Sequence, residues 1–146
     1  MTLRLLLADD HTLFRQALRM ILEAERDIII VAEATEGYGV LNAVEKSKPD
    51  VVCMDINMPK LNGVEATQQL HAVHPEVKII GLSSHIDPYL VAQMIHAGAL
   101  AYVDKAHAGI ELIAAIRMVN QNQPYLSPEL GINNIAELAL YMNHTL

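Results

Sequence analysis

The sequence predicts an α/β fold, with a doubly wound sheet of five parallel strands, helices on both faces and one extra helix at the C-terminus. Two observations predict this class. Short apolar runs bounded by polar or turn residues recur five times along the chain, and stretches with the spacing of amphipathic helices lie between them. Because two parallel strands need a long crossover, which is usually a helix, this alternation favours a parallel sheet.

The five apolar runs are the predicted strands, because short runs of this kind are typical of strands that are buried on both faces. In chain order they are residues 3–8, 28–32, 51–54, 77–82 and 101–103. The first strand is followed by a helical pattern of Leu13, Ala17, Leu18, Ile21 and Leu22, and the fourth by Val91, Met94 and Ile95.

A fifth helix is predicted from about residue 108 to 120, on the pattern of Ile110, Ile113, Ala114, Ile116 and Met118. The turn-forming residues 121–124 follow it, so we expect the main domain to span residues 1–124. Residues 125–134 are then a linker, and residues 135–146 form a C-terminal helix. A single helix of this length is marginal alone, so it should dock on the domain or on a second copy.

Composition excludes several classes of protein. Ten Lys and Arg against seventeen Asp and Glu give a net charge of −7, whereas binding to a nucleic acid backbone needs clustered basic residues. Cys53 is the only cysteine, which excludes a disulfide framework and fits a reducing compartment. No apolar run approaches the ~20 residues of a membrane helix, and the N-terminal run is too short for a signal peptide. We therefore expect a cytoplasmic protein.

Polar residues follow the predicted strands at the edge where an open parallel sheet binds its ligands. They are Asp9 and Asp10 after the first strand, Asp55 after the third, Ser83 and Ser84 after the fourth, and Lys105 after the fifth. His11, which comes next after the first pair, could touch the rim of the site, although a surface position in the first helical turn is favoured. Asp9 and Asp10 could instead cap the first helix, and the two serines could cap the fourth.

Three carboxylates brought together repel one another unless a cation neutralises them. Mg²⁺ suits such a site because it prefers oxygen ligands and leaves positions for phosphate oxygens. Lys105 and Ser83 would then contact a phosphoryl group, and Asp55 is the predicted nucleophile, since an aspartyl phosphate is a known covalent species. Asp9 and Asp10, as a pair, are better suited to hold the metal.

Four segments carry a resemblance to a known family. They are Ala8-Asp9-Asp10-His11, residues 54–59 with Gly63, Leu82-Ser83-Ser84, and Ala101-Tyr102-Val103-Asp104-Lys105. In this order at these strand ends, they resemble the receiver (CheY-like) domain of two-component response regulators over about the first 125 residues. Residues 8–11 at the start and residues 124–129 after the fifth helix are similar to the corresponding segments of the NarL/LuxR class. The resemblance implies a flavodoxin-like fold with strand order 2-1-3-4-5.

The resemblance also implies roles for individual residues. Asp55 would accept a phosphoryl group from a sensor histidine kinase or a small phosphodonor, and Lys105 would pair with the phosphate. Asp9, Asp10, Asp55 and the backbone carbonyl of Asn57 would hold Mg²⁺. Ser83 and Tyr102 would act as switch residues that reshape the surface formed by the fourth helix, the fifth strand and the fifth helix.

The tail departs from the class. Residues 131–141 look like the last helix of a LuxR-type output domain, whereas most of the helix-turn-helix is lacking. We therefore expect no direct DNA binding. The output would run through protein contacts, with a homodimer or pairing to a related full-length regulator through the switched face or the C-terminal helix. Any control of transcription would be indirect, and a tail without function is the alternative.

A Mg²⁺-dependent phosphohydrolase with an aspartate nucleophile is the rival function. Such an enzyme needs a second acid two residues after its nucleophile to protonate the leaving group, and here that residue is Asn57, an amide. We expect only self-phosphorylation and autodephosphorylation. A nucleotide-binding domain is also disfavoured, because Asp9 and Asp10 stand where such a domain has a glycine-rich phosphate loop.

Overall fold

Six parallel strands form the sheet of this computed structural model, which describes residues 2–132 and 134–139. Their order across the sheet is β2-β1-β3-β4-β5-β6. The strands are β1 (Leu3–Ala8), β2 (Ile28–Ala34), β3 (Val51–Asp55), β4 (Lys78–Ser83), β5 (Ala101–Asp104) and β6 (Tyr125–Leu126). The order of the first five confirms the predicted doubly wound sheet, and β6 adds a short sixth strand beside β5.

Five α-helices connect the strands. They are α1 (Thr12–Glu23), α2 (Gly37–Ser47), α3 (Gly63–Val73), α4 (Pro88–Ala97) and α5 (Ala108–Asn120). Local sequence explains several of their ends. Asn62 and Asp87 cap α3 and α4 by accepting backbone N–H groups of the first turn, and Pro88 occupies the position where a helix tolerates proline. No helix in the described part of the chain is long and apolar enough to span a membrane.

The sheet separates two apolar cores because neighbouring residues of a strand face opposite sides. In β1, Leu5 and Leu7 pack with α1 and α5, where Leu22 and Ile116 are buried. Leu6 and Ala8 belong to the opposite core with residues of α2, α3 and α4. Both faces of the sheet are therefore covered, which is why its strands read as continuous apolar runs.

In α1 and α5 the buried face differs in part from the apolar pattern that predicts each helix. Leu13 is 82% exposed and Ile110 is 83% exposed, although the apolar spacing places both on covering faces. Leu18 and Leu22 bury the inner face of α1, and Leu112 and Ile116 that of α5. Apolar spacing alone does not separate the two sides of these helices, because leucine or isoleucine occurs on both.

The segment after α5 packs against the domain. Tyr125 and Leu126 pair with Ala101 and Tyr102 of β5, where the sequence predicts a linker. Two 3-10 helices follow, Pro128–Leu130 and Ile135–Leu138. Leu130, Ile132 and Leu138 are buried in the core that contains Tyr102 and α4. Of the C-terminal helix predicted over residues 135–146, residues 140–146 lie outside the described part of the chain.

Candidate functional site

Three carboxylates lie at the carboxyl edge of two neighbouring strands. Asp9 and Asp10 follow β1, and Asp55 ends β3, which pairs directly with β1. Side-chain oxygens of these residues and a ring nitrogen of His11 lie within 4.8 Å of one another. The side chains of Asp9 and Asp55 are buried, whereas Asp10 is exposed. The strand order therefore brings together the acids that the sequence predicts in one site.

Backbone contacts hold Asp9 in place. Its N–H donates to the carbonyl of Ala34 at 2.9 Å, and its Oδ1 accepts from the backbone N–H of His11 at 2.7 Å. Arg15 donates to the Asp9 carbonyl at 2.7 Å and is itself oriented by an ion pair of 2.7 Å with Glu33. The Asp9 carboxylate is thus fixed by neighbours that leave its Oδ2 for the Nζ of Lys105.

Asp55 is held in a similar way. Its Oδ1 accepts the backbone N–H of Asn57 at 3.1 Å, and the N–H of Ile56 donates to the Leu82 carbonyl. The loop then returns so closely that a Cβ on Gly63 would lie 2.6 Å from the Cα of Ile56 and closer still to the carbonyl oxygen of Asp55. Glycine is therefore required at this position for α3 to begin directly against the end of β3.

Lys105 brings a positive charge to the two buried acids. Its Nζ lies 2.9 Å from Asp9 Oδ2 and 3.3 Å from Asp55 Oδ2. The ammonium also lies 4.7 Å from the centre of the Phe14 ring, which positions it by a cation–π contact. One lysine thus balances part of the charge of a pair of carboxylates.

Burial raises the pKa of Asp55, and the negative charge of Asp9 raises it further, while Lys105 acts in the opposite direction. The Oδ2 atoms of Asp9 and Asp55 are buried and accept no well-formed hydrogen bond in the described residues, although Lys105 lies at ion-pair distance from both. Such oxygens favour an additional cation. The donor set of carboxylates fits Mg²⁺, which prefers oxygen ligands.

His11 lies at the rim of the site, the alternative to a surface position that the sequence left open. Its Nδ1 lies 3.2 Å from Asp9 Oδ1, 3.5 Å from Asp10 Oδ1 and 3.8 Å from Asp55 Oδ2. It also lies 3.1 Å from the Nζ of Lys105. The only signal in the sequence is its position directly after the two aspartates. The imidazole covers the mouth of the acidic pocket instead of facing away from it.

Ser83 and Tyr102 contact the loop that follows β4. Ser83 is buried at the end of β4, and its Oγ accepts the backbone N–H of His85 at 3.0 Å. Tyr102 is buried in β5, and its hydroxyl donates to the carbonyl of the same residue at 2.8 Å. Burial raises the pKa of Tyr102 to about 12, so its hydroxyl stays protonated. Both predicted switch residues therefore hold one loop beside the acidic pocket.

These groups can carry out phosphoryl chemistry. A buried carboxylate is a possible nucleophile, an ammonium can pair with phosphate oxygens, and acidic residues can hold a divalent cation. Asn57 is the residue two positions after Asp55, so an acid is lacking where a leaving group would need a proton. The arrangement favours acceptance of a group over hydrolysis of organic phosphates.

Comparison with known proteins gives consistent matches. Residues 5–117 match the response regulator receiver domain family. The chain is 39% identical over 141 residues to the transcriptional regulatory protein DegU of Brevibacillus brevis, which covers 97% of this chain and 60% of DegU. It is 42% identical over 130 residues to the transcriptional regulatory protein LiaR of Bacillus subtilis, covering 88% of this chain and 61% of LiaR. The chain thus spans about 60% of the length of these relatives.

Solved structures show the same fold. A two-component response regulator of the LuxR family from Aurantimonas sp. SI85-9A1 superposes with a TM-score of 0.87 at 28% identity, covering 96% of this chain and 99% of that one. The response regulator domain of Thermotoga maritima CheB has a TM-score of 0.79 at 27% identity, covering 85% of this chain and 100% of that one.

Proposed function

The chain belongs to the response regulator receiver domain family, among its NarL/LuxR-type members, and from this premise we propose that Asp55 accepts a phosphoryl group in a Mg²⁺-dependent reaction. The receiver domain is a regulatory module of two-component signalling. One observation carries the proposal. The buried Asp55 presents its Oδ2 3.3 Å from the Nζ of Lys105, so a phosphoryl group on this carboxylate would meet a positive charge.

Asp9, Asp10, Asp55 and the backbone carbonyl of Asn57 are the residues that would hold Mg²⁺. The bound ion would offset the charge of the carboxylates and orient phosphate oxygens. An oxygen of Asp55 attacks the phosphorus of the donor, the new P–O bond forms, and the bond between phosphorus and the donor's leaving group breaks with its electron pair going to that group. Lys105 pairs with an oxygen of the transferred group.

The response follows from the contacts of Ser83 and Tyr102. Both residues form a hydrogen bond with the backbone of His85 in the loop after β4. When the Ser83 hydroxyl turns toward the phosphoryl oxygens, His85 loses one of these two hydrogen bonds. Tyr102 then repacks and changes the surface formed by α4, β5 and α5. The tail lies on this same side, because Leu126 pairs with Tyr102 and Leu138 is buried in the same core.

The donor is a sensor histidine kinase or a small phosphodonor in the cytoplasm. The output is contact with protein, either in a homodimer or with a related full-length regulator, through the switched face or the C-terminal segment. Control of transcription is indirect in this proposal, without direct DNA binding or attachment to a membrane. The chemistry is limited to self-phosphorylation and autodephosphorylation.

Labelling with acetyl phosphate in the presence of Mg²⁺ tests the assignment. The full chain should gain the mass of one phosphoryl group, and Asp55→Asn should gain none. Asp50→Asn is the matched control, because Asp50 is an exposed aspartate that accepts a backbone N–H from Arg4. Equal labelling of Asp55→Asn and the parent chain would overturn the proposal, as would labelling that persists unchanged when Mg²⁺ is chelated.

A further inference from the structure

A second cluster of metal-ligating side chains lies on the tail side of β5, outside the acidic pocket. Asp104 ends β5, His107 ends the 3-10 helix Lys105–His107 that follows it, and Glu129 belongs to the 3-10 helix of the tail. Ligating atoms of the three residues all lie within 4.8 Å of one another. The cluster therefore joins three segments of the chain, one of them more than 20 residues away in sequence from the others.

The distances in this cluster match those of a metal site. The Nδ1 of His107 lies 3.2 Å from Asp104 Oδ2 and 3.6 Å from Glu129 Oε1. Two ligands with bonds of about 2.0–2.1 Å to one tetrahedral metal ion are separated by about 3.3 Å. The Nδ1 of His107 therefore lies at about the ligand–ligand separation from each of the two carboxylate oxygens, and all three donor atoms lie within 4.8 Å of one another.

The cluster has fewer hydrogen-bond donors than acceptors, which also favours a bound cation. Two carboxylate oxygens face one ring nitrogen, and the N–H of a neutral imidazole can donate fully to only one of them. The Asp104 side chain is only 10% exposed, so water reaches it poorly. Its Oδ1 accepts the backbone N–H of Ala106 at 3.1 Å, which turns Oδ2 toward the cluster. A divalent ion would satisfy both carboxylates at once.

Buried hydrogen bonds behind the cluster tie the backbone of Asp104 to the tail. The backbone N–H of Asp104 donates to the Oγ of Ser127 at 2.9 Å, and this hydroxyl donates to Glu111 Oε1 at 2.5 Å. Tyr125 also donates to Glu111 Oε1, at 2.9 Å. Ser127 lies two residues before Glu129, so the same network fixes the tail ligand relative to the end of β5.

We propose that Asp104, His107 and Glu129 bind one divalent transition metal ion of the zinc class, with its fourth position open to water. Imidazole nitrogen together with carboxylate oxygen suits zinc, whereas magnesium prefers oxygen ligands and retains its waters. On binding, the Nδ1 of His107 becomes a ligand and its proton leaves for solvent or moves to Nε2. The ion fastens the tail to the end of β5.

This site is independent of phosphoryl transfer at Asp55, and its test does not use labelling. The full chain is titrated with Co²⁺ in excess Mg²⁺, which occupies the acidic pocket, and the visible absorption of bound Co²⁺ is recorded before Zn²⁺ is added as competitor. We expect one bound ion per chain, displaced by Zn²⁺. His107→Ala and Glu129→Gln should each weaken binding at least about ten-fold.

Two variants are the matched controls. His96→Ala removes an exposed histidine of α4, and His11→Ala removes the histidine of the acidic pocket. Both should retain the Co²⁺ spectrum and affinity of the parent chain. Unchanged binding in His107→Ala would overturn the proposal, and so would loss of binding in His11→Ala, which would assign the ion to the acidic pocket.

Amide hydrogen exchange of residues 125–132 gives a second readout. Zn²⁺ should slow exchange in this segment of the parent chain and of His96→Ala, with no effect in His107→Ala. His107 is 41% exposed and Glu129 is 30% exposed, so both substitutions are compatible with a folded chain. Equal slowing in the parent and His107→Ala would contradict a fastening role for these ligands.

Discussion

The Nζ of Lys105 lies 3.3 Å from the Oδ2 of Asp55, on the buried side of the acidic pocket. The same ammonium lies 2.9 Å from Asp9 Oδ2, so it is shared between the two carboxylates. Without a metal ion, this lysine is the main counter-ion of the pocket. A divalent cation that binds to the same oxygens is therefore repelled by the positive charge of Lys105.

Lys105→Ala is expected to bind Mg²⁺ more tightly than the parent chain. Removal of a positive charge next to the metal-binding oxygens lowers the repulsion that the incoming cation meets, and we expect a gain of roughly ten-fold in affinity, about 1.4 kcal/mol. Calorimetric titration with Mg²⁺ measures it. Some acetyl phosphate labelling should remain, with a weaker conformational response.

Lys60→Ala is the matched control for this experiment. Lys60 is an exposed lysine on the loop between β3 and α3, and its Nζ lies 3.3 Å from Glu36 Oε2. Its removal should leave the Mg²⁺ affinity within about two-fold of the parent value, because exposed charges are screened by solvent. Equal or weaker Mg²⁺ binding by Lys105→Ala would show that the lysine does not compete with the cation.

Asp55→Asn is expected to stabilise the metal-free chain at neutral pH. Burial and the charge of Asp9 raise the pKa of Asp55, so the folded chain keeps this proton where the unfolded chain has lost it. The free energy of unfolding of the parent chain therefore falls as the pH rises from about 3.8 through the raised pKa. The amide of the variant does not titrate, and we expect a gain of about 1–2 kcal/mol above that window.

Urea unfolding in the presence of a chelator, measured from acid to neutral pH, tests this prediction. The difference between Asp55→Asn and the parent chain should be small below pH 3.8 and should grow as the pH rises. Asp50→Asn, at an exposed aspartate outside the acidic pocket, is the control variant for the substitution itself. A constant difference at all pH values would mean that the charge of Asp55 does not destabilise the fold.

Gly63→Ala is expected to lower the free energy of unfolding by about 1–3 kcal/mol. Its new Cβ would meet backbone atoms, the Asp55 carbonyl oxygen and, at 2.6 Å, the Cα of Ile56, which cannot move aside as a side chain can. The same displacement should reduce labelling of Asp55. Urea unfolding and acetyl phosphate labelling measure the two effects.

Gly39→Ala is the matched glycine control. Gly39 lies in α2, and the nearest atoms to a Cβ there are 3.8 Å and 3.9 Å away. Alanine favours a helix over glycine by up to about 1 kcal/mol, so this variant should be as stable as the parent or more stable. If both variants lost stability equally, close approach at Gly63 would not be the cause.

Ser127→Ala is expected to loosen the tail and to cost about 1–3 kcal/mol. The buried hydroxyl accepts the N–H of Asp104 and donates to Glu111, and alanine leaves both groups without that partner. Hydrogen exchange of residues 125–132 should accelerate more than exchange in β1. Ser84→Ala, at an exposed serine, should alter neither quantity. Unchanged exchange in Ser127→Ala would mean that other contacts hold the tail.

The fold and the acidic pocket could be predicted because each depends on a simple rule. Buried parallel strands are apolar throughout, and their carboxyl ends meet at one edge, which places Asp9 and Asp55 at the same edge. That β1 and β3 are neighbours there followed from the strand order implied by the resemblance to receiver domains. The strand β6 could not be predicted in this way. Tyr125 and Leu126 are too few residues to show a period, and the hydroxyl groups of Tyr125 and Ser127 donate to Glu111, which is distant in the sequence.

Glu111 shows why the tail contacts escape sequence reasoning. A glutamate in a helix is normally exposed, yet Glu111 is buried in α5 because the hydroxyl groups of Tyr125 and Ser127 satisfy its carboxylate. The position of His11 over the pocket also depends on a side-chain rotamer. Contacts between side chains that are distant in the sequence leave no periodic pattern in the chain.

The pairing of β6 with β5 has a consequence for the aggregation of this protein. A sheet that ended at β5 would offer the backbone groups of Ala101–Asp104 to any other extended chain, which is a common start of aggregation. The two residues of β6 cover the first half of that strand, and Ser127 takes the N–H of Asp104 at its end. The tail thus protects the molecule from unwanted strand exchange with its own copies.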